Sequence, residues 1–139
     1  MSLYILDSDH LSLQQRGHPE ILKRLLITPP DDIAITVITA EELIRGRLAQ
    51  VRKAKQADKR VSAYRWLINA FELVCQLQVL QFDADAEKQF QLWRSNKIRI
   101  GTQDLRIAAI AFTRNATVVT RNRRDFQQVP NLRIEDWTV

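Results

Sequence analysis

Short apolar runs alternate along this chain with longer stretches of helical periodicity, and this alternation constrains the fold more than any other feature. Strands that follow one another through helices pair in parallel. The pattern therefore predicts an α/β fold, an α/β/α sandwich whose parallel sheet of about five strands is flanked by helices. The predicted strands are Leu3–Leu6, Ile33–Ile35, Val79–Phe82, Thr117–Val119 and Leu132–Ile134.

Helix signals place the elements between the strands. Pro19 suits the first turn of a helix, and the run Pro29-Pro30-Asp31-Asp32 breaks it. Asp83 and Thr102 are suitable N-cap residues for two later helices. The further predicted helices run from about Thr39 to Ala54, Lys59 to Leu77, Ala84 to Ser95 and Thr102 to Thr113.

Length and composition indicate one domain over residues 1–139, with 45% hydrophobic and 27% charged residues. The single cysteine, Cys75, excludes an internal disulfide framework. The start MSLYILDSDH does not resemble a signal peptide. No apolar run approaches the ~20 residues that span a bilayer. We therefore expect a cytoplasmic protein that does not associate with membranes.

The charge balance favours a polyanionic partner. The chain has 21 Lys and Arg against 16 Asp and Glu, a formal charge of +5 and a pI of about 9.8. Such a surface attracts nucleic acid above other anions. A basic surface around an acidic pocket is what a metal-dependent enzyme needs to act on a polyanion.

Asp7 directly follows the first predicted strand, within ILDSDHLS. Its side chain is expected at the carboxyl end of the sheet, where ligands of such folds bind. Asp9 lies two residues further on and can add an oxygen ligand or a water contact. Asp7, Ser8 or Asp9 can instead cap a short helix, so both interpretations stay open.

Glu42 is the second candidate acid and lies near the start of a predicted helix, within VITAEELIRG. Thr39 to Glu42 fits a capping box, with Thr39 as the N-cap, and this is a purely structural alternative. A glycine inside a helix costs roughly 1 kcal/mol relative to alanine. Gly46, one turn beyond Glu42, therefore indicates a close approach on that face and favours Glu42 facing a site.

Asp104 is the third candidate and lies in the first turn of its predicted helix. The helix dipole alone favours an aspartate there. Its orientation is more informative, because the apolar residues Ile107, Ala108 and Ala111 follow at helical spacing. Asp104 thus shares the face of the helix that is expected to be buried, which favours a functional role.

Asn122 and Asp125 follow the fourth strand in VVTRNRRDF. Asn122 can hold a metal-bound water or a phosphate oxygen, and Asp125 can be the last carboxylate; each can also belong to an ordinary polar turn. Arginine suits phosphate contact through its planar donor fork. The neighbouring arginines are candidates for contact with the phosphates of a nucleic acid, or belong to a solvated loop: Arg121, Arg123 and Arg124.

Carboxylates gathered at one sheet edge repel one another and have no obvious basic partner in sequence. A hard cation such as Mg²⁺ prefers oxygen ligands and would relieve that repulsion. His10 and His18 share no metal-ligand spacing, and His10 is predicted near the mouth of the site. Three glycines cannot build a P-loop or a dinucleotide fingerprint.

Three aromatic residues of the long helix, Tyr64, Trp66 and Phe71, share helical spacing with Leu67 and Ala70. The spacing predicts core or dimer-interface positions rather than platforms for stacking bases.

Together these segments resemble the PIN-domain family and, within it, toxins of the VapC type. ILDSDHLS resembles the opening strand with its first aspartate, TAEELIRG the second acidic motif, and Asp104 through IAAIA the third. VVTRNRRDF and VPNLRIEDW resemble the closing segment. The family often has asparagine where this chain has Asp9, and commonly has its fourth acid where this chain has Asn122.

The resemblance implies a single PIN-like domain with Mg²⁺- or Mn²⁺-dependent endoribonuclease activity. It implies that Asp7, Glu42 and Asp104 hold the metal, and that Asp125 or Asn122 completes the site. It also implies a homodimer that acts on RNA and is inhibited by a cognate antitoxin protein.

Two other functions compete with this reading. Asp7-Ser8-Asp9 resembles the D-x-D of haloacid dehalogenase-type phosphatases, with Asp7 as the nucleophile, although Leu11 departs from that motif. A basic nucleic-acid-binding module, whose acids only cap helices, is the non-enzymatic alternative. A phosphoaspartate trap or turnover of a small phosphomonoester distinguishes the phosphatase, and Mg²⁺-dependent strand cleavage excludes the binding module.

Overall fold

The elements of the chain are those of an alternating α/β protein. A computed structural model describes residues 2–139. In chain order it contains β1 (Tyr4–Leu6), α1 (Ser8–Gln15), α2 (Pro19–Ile27), a 3₁₀ turn (Pro30–Asp32), β2 (Ile33–Thr36), α3 (Val37–Lys53), α4 (Ala57–Gln76), β3 (Gln78–Leu80), α5 (Ala84–Ser95), α6 (Thr102–Thr113), β4 (Thr117–Val119), α7 (Arg123–Phe126) and β5 (Arg133–Glu135). No helix within residues 2–139 is long and apolar enough to cross a bilayer.

The five strands form one parallel sheet in the order β3-β2-β1-β4-β5. β1 lies at its centre, with Ile5 opposite Ala34 of β2 on one side and Val118 of β4 on the other. The predicted fold class is thereby confirmed. Because all strands run in the same direction, the segments after β1, β2 and β4 meet at one edge of the sheet.

Successive residues of β1 point to opposite faces of the sheet and belong to two separate cores. Ile5 packs in a cluster with residues of α5 and α6, whereas Leu6 packs in a second cluster with residues of α1 to α4. α6 is the most buried helix: Leu105 and every residue from Ile107 to Ala111 are fully or almost fully buried. This packing fixes the first turn of α6 against the sheet.

The start of α3 differs from the prediction. Its N-cap is Thr36, whose Oγ1 accepts the N–H of Thr39 at 3.1 Å, and the helix begins at Val37. The proposed capping box with Thr39 as the N-cap is therefore wrong. Glu42 lies more than one turn inside the helix and has no capping role.

Other boundaries shift by one to three residues. Asp83 caps α5 as predicted, since its Oδ1 accepts the N–H of Ala86 at 2.9 Å. Thr102 does not cap α6; it is the first helical residue, and the N-cap Gly101 offers no side chain. α7 differs from the predicted polar turn, because its four residues are too few to show helical periodicity in the sequence.

The N-cap of α3 can be tested by removing single hydroxyl groups. Thr36→Val should lower the free energy of unfolding by about 1 kcal/mol, since it deletes the acceptor that satisfies the N–H of Thr39. Thr39→Val is the matched control and should lower the free energy of unfolding by less. Thermal melts of the two purified variants make the comparison, and the reverse order would support the capping box instead.

Candidate active site

Asp7 lies directly after the central strand and is almost completely buried, with 8% exposure. Its Oδ1 accepts the N–H of His10 at 2.8 Å, which makes Asp7 the N-cap of α1. Its Oδ2 accepts no hydrogen bond from residues 2–139. Asp7 therefore caps a helix and also presents a carboxylate oxygen at the sheet edge; the two predicted interpretations do not exclude each other.

Glu42 reaches the same edge through a contact between distant parts of the sequence. The Ser8 hydroxyl donates to Glu42 Oε1 at 2.7 Å, across 34 residues. Because Ser8 follows Asp7, this bond holds Glu42 beside the end of β1. Gly46 does not mark a close approach within residues 2–139, because a Cβ placed on it meets nothing within 4 Å.

Asp104 lies in the first turn of α6, partly buried, without an ion pair or a side-chain hydrogen bond among the described residues. Burial is the main reason why the pKa of its carboxyl is raised from 3.8 to about 6. Negative charge on neighbouring carboxylates raises this pKa further. These neighbours are Glu42, Asp7 and Asp125.

Asn122 and Asp125 bind each other. Asn122 is the N-cap of α7: its Oδ1 accepts the N–H of Asp125 at 3.4 Å, and its Nδ2 donates to Asp125 Oδ2 at 3.0 Å. The N–H of Asn122 donates to the buried Thr120 hydroxyl at 2.9 Å. The amide thus orients the carboxylate, and it is Asp125 that interacts electrostatically with Asp104.

Asp9 does not join the carboxylate cluster, because it forms an ion pair with Arg121. Arg121 donates to both of its carboxylate oxygens, from Nε at 2.6 Å and from Nη2 at 2.9 Å. The pair occupies Asp9, the suggested additional oxygen ligand, and also Arg121, a suggested RNA contact. Arg123 and Arg124 are exposed on α7 and form no ion pair with the described acids.

The donors of the cluster suit a hard divalent cation, although they are not arranged as a finished coordination sphere. No three acidic, histidine or cysteine side chains of residues 2–139 are already placed to hold one metal ion. Asp7, Glu42 and Asp125 each accept a side-chain or backbone hydrogen bond on one oxygen only. The other oxygen of each of these carboxylates, and both oxygens of the unpaired Asp104, are hard donors. The residue types therefore fit a divalent cation, provided that the side chains adjust to reach it.

His10 is a helix residue of α1 next to the site, as predicted, but it does not lie at the mouth of the site, because it is fully buried. Its Nδ1 lies 3.4 Å from Asp7 Oδ1, and its Nε2 accepts the N–H of Trp137 at 3.2 Å. His10 therefore links the first acid to the segment after β5. Nothing in the local sequence of DSDHLS signals a contact across 127 residues.

The chain is similar in sequence to known families and proteins. A family model described as PIN domain matches residues 4–132. A tRNA(fMet)-specific endonuclease VapC from Salmonella typhimurium is 30% identical and each chain is covered to 99%. Ribonuclease VapC1 from Haemophilus influenzae is 27% identical, with 98% of each chain covered.

Solved structures resemble the chain over nearly its whole length. DNA-bound VapBC from Salmonella typhimurium superposes with a TM-score of 0.81 at 28% identity, covering 99% of both chains. VapBC-1 from nontypeable Haemophilus influenzae gives a TM-score of 0.77 at 25% identity, with the same coverage.

The raised pKa of Asp104 predicts how stability without metal depends on pH. A folded-state pKa of about 6, above the ordinary 3.8, means that this carboxyl stabilises the fold below pH 3.8 and that this contribution is lost as the pH rises through about 6. The Asp104→Asn variant stays neutral at every pH. Its free energy of unfolding should therefore increase relative to that of the wild type as the pH rises.

Thermal melts between pH 4 and 7.5, with EDTA, measure this difference. Because Asp104 is partly exposed, we expect only about 1 kcal/mol at pH 7.5, less than the full shift would give. Asp85→Asn, at an exposed first-turn position of α5, is the matched control and should show no such trend. A melting difference that does not change with pH would mean that Asp104 is an ordinary first-turn aspartate.

Proposed function

The chain belongs to the PIN-domain family, and on that premise we propose that it is a metal-dependent endoribonuclease that cleaves RNA phosphodiester bonds, the toxin of a type II toxin–antitoxin pair. Asp104 carries the proposal: it is a partly buried carboxyl with no basic partner among the described residues, at the end of a parallel sheet, and three further carboxylates lie close enough for their charge to raise its pKa. The ribonuclease names of relatives similar over the whole chain support the substrate class. We propose further that residues 1–139 form one PIN-like domain.

Divalent-metal dependence follows from the carboxylate cluster and the family, and we propose Mg²⁺ or Mn²⁺ as the ion. Asp7, Glu42 and Asp104 would hold it. Such an ion, when bound, lowers the pKa of a bound water and neutralises charge on the phosphodiester and its leaving oxygen.

The side chains of the site divide the remaining work. One carboxylate of the cluster accepts a proton from the attacking water. Ser8 keeps Glu42 at the sheet edge through its 2.7 Å hydrogen bond. Asn122 orients Asp125 through its 3.0 Å hydrogen bond. Because the pocket itself is acidic, attraction of the polyanionic strand is left to basic groups around it, among them Arg123 and Arg124.

Protein partners are proposed from the neighbours and from one helix face. The similar structures are VapBC assemblies, and we expect this chain to be a cytoplasmic protein that is inhibited by a cognate antitoxin. A homodimer is supported by an apolar stripe on α4 that follows heptad spacing. Its members are more than half exposed: Val61, Tyr64, Ile68 and Phe71. Of the two predicted locations for Tyr64 and Phe71, core or dimer interface, their exposure excludes the core, and the dimer interface stays a prediction.

The competing functions have less support. A haloacid dehalogenase-type phosphatase would use Asp9 as its acid/base, but Arg121 binds both oxygens of that carboxylate. A module whose acids only cap helices would need capping roles for the acids. Glu42 and Asp104 accept no capping hydrogen bond in their helices.

Catalysis is tested first by removing single carboxylates. Purified wild type should cleave RNA with Mg²⁺ or Mn²⁺ and stop with EDTA. Asp7→Asn or Asp104→Asn should lose roughly a hundredfold or more in rate, in the range that a metal or acid–base group contributes. Circular dichroism confirms folding. Cleavage by both variants at the wild-type rate would contradict the assignment.

The fourth position is tested by comparing two alanine variants. Asp125→Ala should reduce cleavage more than Asn122→Ala, because Asp125 faces Asp104 whereas Asn122 acts by orienting Asp125. Rates at saturating metal measure the order. A larger loss for Asn122→Ala would assign the last position of the family motif to the asparagine.

The three arginines should differ in their contribution to RNA binding. Arg123→Gln and Arg124→Gln should weaken binding across sequences and flatten its salt dependence by about 0.7 per lost contact on a double-logarithmic scale. Arg121→Gln should have a smaller effect, because its guanidinium already binds Asp9. Filter binding with EDTA at several salt concentrations measures the slopes, and equal slopes for all three would contradict the difference.

A further inference from the structure

A concave surface beside the carboxylate cluster has no role in the proposed function so far. A cavity of about 250 Å³ opens between α1, α3 and α4. It contains two arginines, a tryptophan and no acidic side chain. Its lining residues are Ser12, Gln15, Arg16, Arg47, Gln50 and Trp66.

Arg47 is held in place in this cavity by its neighbours. Its guanidinium lies 5.5 Å from the centre of the Trp66 ring, and its Nη2 donates to Gln15 Oε1 at 3.1 Å. Gln15 in turn donates from Nε2 to Asn69 Oδ1 at 2.8 Å. Arg47 Nε is buried without a hydrogen-bond partner. The guanidinium is thus preorganised, and no acidic side chain among the lining residues neutralises it, which suits an incoming anion.

The cavity lies on the same helix seam as the active site. At one end of the seam, Ser8 of α1 binds Glu42 of α3. At the other end, Gln15 of α1 binds Arg47 of α3. Ser8 and Gln15 are two helical turns apart, so the cavity is about 10 Å from the carboxylates. A single-stranded ligand that crosses the carboxylates can continue into it within a few nucleotides.

Trp66 is exposed on a different side of α4 from the apolar stripe. Five residues separate it from both Val61 and Phe71, which places it about 140° around the helix from either. It is 47% exposed, whereas the other two tryptophans, Trp93 and Trp137, are almost fully buried. The exposure of Trp66 excludes the core, one of its two predicted locations. A dimer formed through the stripe would leave its ring free.

We propose that this cavity is an RNA subsite next to the cleavage site, where Arg16 and Arg47 contact a backbone phosphate and Trp66 stacks on a base. The inference rests on the proposed ribonuclease function and extends it to a specific path for the strand. An arginine beside an aromatic ring is a combination that binds single-stranded nucleic acid with little sequence preference. Because Trp66 contacts a base, this subsite would distinguish RNA from a polyanion that consists of phosphates only.

Fluorescence of Trp66 tests the proposal without catalysis. Octaadenylate RNA is titrated into the full-length protein with EDTA, so that no cleavage occurs. Stacking should quench the tryptophan emission, and Trp66→Phe should abolish the quenching because the remaining tryptophans are buried. Inorganic polyphosphate is the comparison ligand: it should compete for the arginines but leave the emission nearly unchanged.

Variants show whether RNA binding depends on the cavity residues or only on the positive charge of the protein. Trp66→Ala should weaken octaadenylate binding about tenfold, the loss expected for one stacked base. Arg47→Gln should reduce the double-logarithmic salt slope by about 0.7. With a longer RNA and Mg²⁺, it should raise KM and leave kcat unchanged. Arg65→Gln is the matched control, because it removes the same charge from an exposed position on α4 outside the cavity. It should change neither the salt slope nor KM.

Three results overturn the proposal. Quenching by polyphosphate equal to that by RNA would mean an anion site without base stacking. Metal-dependent cleavage together with no RNA quenching would overturn the subsite and leave the proposed function intact. Absence of any metal-dependent RNA cleavage by the wild type would overturn the proposed function and the subsite with it. Melting curves of each variant establish that binding losses do not come from unfolding.

Discussion

Repulsion between like charges at the carboxyl edge of the sheet is the constraint on which the rest of this molecule depends. β1 lies between β2 and β4, so the parallel register brings Asp7, the first turns of α3 and the segment after β4 together. α6, packed almost entirely in the core, brings Asp104 to the same place. No basic side chain of the described residues pairs with Asp104, and its pKa rises to about 6 as a result of burial and of its neighbours. An arrangement that destabilises the metal-free protein in this way makes physical sense when a cation is the missing partner.

Neutral donors hold most of these carboxylates in position. A backbone N–H binds Asp7, a hydroxyl binds Glu42 and a side-chain amide binds Asp125. None of these donors carries a positive charge. Each therefore orients its carboxylate without reducing the negative charge of the cluster. Asp9, by contrast, is paired with Arg121 and thereby removed from the cluster. The distinction between an oriented acid and a neutralised acid separates the site residues from their neighbours.

Much of this could be predicted from the sequence, because the relevant signals are local. Alternating strands and helices predict the parallel sheet, and an acid directly after an apolar strand or in the first turn of a buried helix predicts where Asp7 and Asp104 lie. What could not be predicted depends on contacts between distant segments. The Ser8–Glu42 bond spans 34 residues, the Asp9–Arg121 pair 112 and the His10–Trp137 contact 127. The Thr39 capping box was wrong because two threonines three residues apart both suit an N-cap, and tertiary packing selects Thr36.

The claim that Asp104 and its neighbours form a cation site is tested most directly by measuring Mn²⁺ binding to the RNA-free protein by electron paramagnetic resonance of the free ion. The wild type should bind Mn²⁺. Asp104→Asn should bind at least about tenfold more weakly, since it removes a charged oxygen ligand. Asp85→Asn, which removes an equal charge from the exposed first turn of α5, should bind like the wild type. Equal affinity of wild type and Asp104→Asn for Mn²⁺ would contradict the account, because the carboxylate cluster would then not be the place where the metal is held.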